Sequence, residues 1–137
     1  MRFVILALAL SSSCSAPQSV ESGQPPGLVL GNFVDDYDVG HHITRDQWRQ
    51  ASDTIYRIVA WGPDHLIAQN AASNPSDGEL WTRIDWLALD DPKYPWAFCL
   101  SAYKAPTRAA AEASRVARRD TPKTGCNGFP FSRMRVR

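Results

Sequence analysis

"TIYRIVAWGPDHLIAQN", residues 54–70, holds two apolar runs separated by four turn-forming residues. In the first run Tyr56, Ile58 and Ala60 alternate with Ile55, Arg57, Val59 and Trp61. Period-two alternation is the mark of a strand. It sets Tyr56 and Ile58 on one face and Val59 and Trp61 on the other, so both faces are largely apolar. Pro63 stands second in the four-residue group 62–65, where its fixed φ suits a β-turn. Residues 66–70 then return, and the stretch reads as a β-hairpin.

The same grammar extends in both directions. Residues 27–34, 41–44, 80–89 and 96–103 are further short apolar runs, cut by turn-rich segments at 71–79 and 90–95. Thr44 stands three residues before Gln47, a capping-box spacing, which predicts a turn or short helix over 45–50 with Trp48 turned inward. Beyond residue 105 the period changes. Ala109, Ala110, Ala113, Val116 and Ala117 fall on one helical stripe, with Arg108, Glu112, Arg115 and Arg119 on the other. The prediction is a mainly β (α+β) domain. Five to six strands form an antiparallel meander or small barrel-like sheet, followed by one Ala-rich helix over 106–120 and a disulfide.

The chain has 137 residues, 44% hydrophobic and 21% charged, with five Trp and five Phe, which suffices for one cored domain. Net charge is +1, so no global field points to nucleic acid. That balance hides a split. Residues 31–96 hold eleven acidic and five basic side chains, net −6, whereas 108–137 hold eight basic and two acidic, net +6. Two readings follow: internal pairing of an acidic sheet with a basic tail, or a basic tail that meets an anionic surface.

Residues 1–16 have the order of an export signal: Arg2, an apolar run from Phe3 to Leu10, then small residues. The run is too short to span a bilayer, which takes roughly 20 residues. Cleavage after Ala16 is one route. The other is a lipobox-like Leu10–Ser11–Ser12–Ser13–Cys14, with Cys14 lipidated, although Ser11 replaces the usual Leu. Residues 17–27 form a Ser-, Pro- and Gly-rich linker, and 28–137 form the single domain. With Cys14 assigned to processing, Cys99 and Cys126 are expected to pair in an oxidising compartment.

No complete catalytic constellation is legible. "DDYDVGHH" (35–42) offers Asp36, Asp38, His41 and His42, with Asp38 and His41 the candidate metal ligands. Adjacent histidines on a strand face opposite sides, so only one can join such a site. Asp and Gly are turn formers, and a turn between two strands needs fewer assumptions. His65 beside Asp64 reads as a surface turn residue rather than a dyad with Ser101, since no G-x-S-x-G elbow is present. Asp85 reads as an exposed residue beside Arg83 rather than a glycosidase partner of Glu79. The five tryptophans are mostly core; Trp81 and Trp86 differ in parity and face opposite sides.

The segments "LIAQN" (66–70), "LWTRIDW" (80–86), "FCLSAY" (98–103) and "GCNGFPFS" (125–132) together resemble a small β-rich domain of exported bacterial proteins that follows a lipoprotein-type signal. The resemblance implies the architecture and an envelope location, and it carries over no catalytic residue. The functional expectation is a non-catalytic binding or structural module of the cell envelope. It would lie at the outer membrane through a lipid anchor, or free in the periplasm or secreted. Its partner would be an envelope protein or glycan, with no cofactor and no nucleic acid. The alternatives are a small envelope hydrolase using carboxylate and His residues, and an exported inhibitor of a protease or lysozyme presenting residues 71–79.

Overall fold

The computed structural model describes residues 23–137; the expected export signal, Cys14 and the first part of the expected linker lie outside them. Eight antiparallel strands run β1 (Gly31–Asp35), β2 (Gly40–Ile43), β3 (Gln47–Gln50), β4 (Thr54–Trp61), β5 (His65–Asn70), β6 (Trp81–Ala88), β7 (Trp96–Ala105) and β8 (Ser132–Val136). Each pairs with its neighbour in sequence, and β8 pairs back onto β1, so the sheet closes into a barrel. Of the two expected forms, meander or small barrel-like sheet, the barrel is present, with eight strands rather than five or six. Two of the additional strands are short and lack a long apolar run. β3 replaces the turn or helix expected over 45–50, and β8 is formed by the basic tail. Thr44 still caps locally, its Oγ1 accepting from the Gln47 N–H at 3.2 Å, but it opens a strand instead of a helix.

The barrel interior is filled by side chains. Phe33, Trp48, Trp61, Trp86, Trp96 and Phe98 are each 5% exposed or less. Edge-to-face contacts join them, with Phe33 and Trp96 at 5.1 Å and Trp48 and Phe98 at 5.1 Å between ring centroids. An eight-stranded barrel has an interior about wide enough for such a filling. Val29, in the short 3-10 turn Gly27–Val29, is fully buried in the same core. At the β5–β6 connection Asn74 is buried too. Its side chain accepts from the Ile55 N–H and donates to the Ile55 carbonyl, both at 2.9 Å. The 71–79 loop is thus folded back onto β4.

One strand departs from its period-two pattern. The β4–β5 register shifts between Ile58 and Ala60. An extra residue at a bulge inverts the alternation beyond it, so Tyr56 and Trp61 both point inward while Val59 is exposed. The two-faced strand expected from the alternation is instead one inner face carried across a bulge.

Residues 106–131, between β7 and β8, lie over the outer face of β5–β7. The helix there is α1 (Arg108–Ala113), six residues long, not the helix expected over 106–120. Thr107 caps its start by accepting from the Ala110 N–H, and Ser114 leaves it in an extended conformation. Ala111 is the buried residue of the helix, whereas Ala109, Ala110 and Ala113 are exposed. Ser114 Oγ donates to the Ser101 carbonyl at 2.9 Å, which ties the chain to β7 before another turn can form. Cys126 bonds to Cys99 across a sequence separation of 27. Ala97, Cys99 and Phe131 form a second buried cluster between barrel and cover.

Closing a loop of this length restricts the unfolded chain by roughly 3–4 kcal/mol in the chain-entropy description. The double variant Cys99→Ser, Cys126→Ser is therefore expected to lose about that much stability in urea titrations. A loss under about 1 kcal/mol would show that the cover holds without the bond.

Candidate functional site

Two buried polar clusters and one open cleft hold most of the chemistry. The first cluster lies inside the barrel and is built from the "DDYDVGHH" stretch. Asp35 ends β1 and is 4% exposed. Its Oδ1 accepts the N–H groups of Tyr37 and Val39, each at 2.9 Å, and so shapes the turn into β2. Its Oδ2 lies 2.9 Å from His41 Nε2. On the other side of the ring, Trp48 Nε1 donates to His41 Nδ1 at 3.0 Å. An indole N–H can only donate, so Nδ1 is the accepting nitrogen and Nε2 carries the proton. His41 is therefore a neutral ring donating to Asp35. Burial pushes its pKa below the usual 6.5, against the opposing pull of the Asp35 carboxylate.

His42 faces outward, as strand alternation requires. Asp38 takes a positive φ of 63° in the turn, and its side chain is 93% exposed, 3.8 Å from Arg135. His41, with both nitrogens engaged in the core, and Asp38, standing in solvent, are thus not presented to one another as a ligand pair. Asp36 lies 3.0 Å from Arg133.

The second cluster is on the outer face of β6, beneath the cover. Asp85 is 1% exposed, not the surface residue the sequence suggests, because the cover's path is invisible in the strand pattern. Arg83 grips it through two bonds, Nε to Oδ2 at 2.9 Å and Nη2 to Oδ1 at 3.1 Å. Arg119 Nη2 donates to Oδ1 at 2.7 Å, and Ser101 Oγ donates to Oδ2. Arg119 also donates to the Trp86 and Asp64 carbonyls, and Arg83 to the Glu112 carbonyl. Burial raises the Asp85 pKa, but bonds from Arg83, Ser101 and Arg119 outweigh it and hold the carboxyl below its usual value.

Asp64, His65 and Asp85 each bring one donor atom within 4.8 Å of the others. The charge this trio faces is the Arg119 guanidinium, and His65 Nδ1 is bonded to Asp64 at 2.9 Å. A cation at the trio would meet Arg119 and Arg83 first. Ser101 donates a hydrogen bond to a carboxylate that two guanidinium groups also hold, and a carboxylate so satisfied is a weak base toward the hydroxyl. Sequence reasoning missed both Arg119 and the burial of Asp85; a signal was the isolated Asp between Ile84 and Trp86 in an otherwise apolar run.

The cleft, about 490 Å³, lies between the β1–β2 turn, the β6–β7 connection and the end of the cover. Phe131, Ala97 and Leu89 make an apolar floor, and Asp36, Asp91, Lys123 and Arg133 stand around it. Tyr37 is 69% exposed at its edge. The Arg133 guanidinium lies 4.5 Å from the Tyr94 ring centroid. Asp91 accepts the N–H groups of Tyr94 and Lys93, and these bonds hold its pKa below the usual carboxylate value. Comparison with protein-family models, with curated proteins and with solved structures found no match.

The His41 geometry has a pH consequence. Unfolded, the ring takes a proton below about 6.5; folded, it resists protonation to lower pH. In that window the unfolded state binds more protons, so stability is full above pH 6.5 and falls as pH drops, by at most about 1.4 kcal/mol per pH unit. Urea midpoints measured from pH 7.5 to 5 are expected to decline in the native protein. The decline should be shallower in His41→Gln; parallel curves would remove His41 as its source.

Proposed function

We propose that this domain is a non-catalytic glycan-binding module of the bacterial cell envelope, tethered by its N-terminal segment. The observation that carries the reading is the cleft beside Tyr37. It offers an exposed aromatic ring, an apolar floor and a rim of ionised hydrogen-bonding groups, the elements that stack on a sugar ring and bond its hydroxyls. Its chemistry disfavours hydrolysis. A glycosidase acid needs a carboxyl whose pKa is raised, whereas Asp91 is shifted down and Asp36 is paired with Arg133. The two buried clusters are saturated with internal partners, which suits a structural role.

Location is supported at a coarser level. A disulfide between Cys99 and Cys126 fits an extracellular or periplasmic setting. Among the described residues no helix is long and apolar enough to cross a membrane. The lipid anchor at Cys14 and the outer-membrane address rest on the N-terminal sequence. The last linker residues lie against the barrel, with Gly23 N–H bonded to the Trp61 carbonyl at 3.1 Å and Arg45 to Gln24 at 2.9 Å. The tether therefore leaves the domain close to the β4–β5 turn.

The test is a titration with soluble peptidoglycan fragments followed by amide chemical shifts. Saturable shifts are expected at Tyr37, Asp91, Lys123 and Phe131, with binding weakened at least tenfold in Tyr37→Ala. Shifts elsewhere, or none, would overturn the glycan reading, and new reducing ends would make the protein an enzyme. Intact mass of the natively exported protein is expected to show a diacylglyceryl-modified chain beginning at Cys14. A chain beginning at Pro17 would remove the anchor.

A further inference from the structure

The basic tail is only partly consumed by the acidic sheet. Arg119 is held by Asp64 and Asp85, Arg133 by Asp36, and Arg135 lies 3.8 Å from Asp38. Among the described residues Arg137 and Arg49 have no carboxylate within 4.0 Å, and the fold brings them to one place. The Arg137 N–H donates to the Asn32 carbonyl at 3.1 Å. Asn32 stands opposite His42, and His42 opposite Arg49. Arg137, one residue past β8, thus stands in one row with Asn32 of β1, His42 of β2 and Arg49 of β3. With strands about 4.8 Å apart, the two arginine backbones are roughly 14 Å from each other, and both long side chains can reach the middle.

Beside the row, two residues before His42, β2 begins with a glycine that pairs with Val34. A Cβ built on Gly40 would lie 3.8 Å from Arg137 Nη1, so the guanidinium has swung across β1 and lies over this bare backbone. The result is a cleft of about 400 Å³ lined by Gly40, His42, Arg49, Ser52 and Arg137. His42 Nδ1 donates to Asn32 Oδ1 at 2.6 Å, which fixes the ring in the cleft wall. One carboxylate, Asp38, also lines the cleft; it is turned into solvent near Arg135. Asn32 and His42 stand between the two arginines, which leaves room for an anion between the guanidinium groups.

We propose that this cleft binds a phosphate group, gripped by Arg49 and Arg137. Two guanidinium groups lining one cleft can supply more donors than the two oxygens of a carboxylate accept, which suits the several oxygens of a phosphate. The phosphate is either free or part of a membrane lipid headgroup. The site is separate from the Tyr37 cleft and stands or falls without it.

Inorganic phosphate is titrated into the full chain at constant ionic strength, followed by amide and arginine side-chain shifts. Saturable shifts confined to Gly40, His42, Arg49 and Arg137 are expected. The double variant Arg49→Gln, Arg137→Gln alters exposed residues only and should weaken binding at least tenfold with an unchanged urea midpoint. Gly40→Val, which fills the floor, should weaken it while keeping both charges. A second arm measures co-sedimentation with vesicles of phosphatidylglycerol against phosphatidylcholine. Selective sedimentation lost in the double variant assigns the phosphate to a lipid; shifts with phosphate but no sedimentation assign it to a soluble ligand. No response to either probe, or a response that the double variant leaves intact, overturns the proposal.

Discussion

Three residue pairs between the first strand and the last, Phe33 with Val136, Val34 with Arg135 and Asp35 with Met134, turn an eight-strand sheet into a barrel. Without them β1 and β8 would present unpaired N–H and C=O groups, and the aromatic filling would lie open on one side. The closure also places the sites. It brings Asp36 to the tail, where its N–H bonds the Arg133 carbonyl and its side chain the guanidinium. The β1–β2 turn therefore separates two clefts, one under Tyr37 and the other over Gly40.

Charge follows the same geometry. The sequence separates an acidic first part from a basic last part, and the fold lays one upon the other. Arg119 reaches Asp64 and Asp85 from the cover, while Arg133 and Arg135 reach Asp36 and Asp38 along β8. A buried carboxylate such as Asp85 is tolerable because two guanidinium groups and a hydroxyl satisfy it; taking one away would leave a charge stranded in a dry place.

What was legible in the sequence is what depends on near neighbours. The 54–70 hairpin, the opposite facing of His41 and His42, the turn at 36–40 and the Cys99–Cys126 pair all follow from local pattern or from counting cysteines. What failed depends on distant partners. A barrel-like sheet is among the expectations, but its eighth strand is not: the basic tail is a strand because β1 and β7 flank it. The bulge near Ile58 was hidden because an apolar run with both faces apolar gives alternation nothing to contradict. The Ala-rich stretch carries a helical stripe, but Ala is small enough to be exposed at little cost, and the Ser114 bond to β7 cuts the helix after six residues. Asp85 is exposed by parity and buried by the cover, and the path of the cover is fixed by Cys126 and Arg119.

The span between those closing strands also governs how the molecule is assembled. Phe33 and Val136 are about a hundred residues apart along the chain, and all other strand pairs join consecutive strands. A chain emerging from its N-terminus can form hairpins one after another, yet its first strand must wait for its last. Until then the aromatic interior is partly wet and β1 is an available template for another copy. Folding should thus be rapid in its local steps and limited by one late, long-range search, a kinetic exposure that the finished barrel no longer shows.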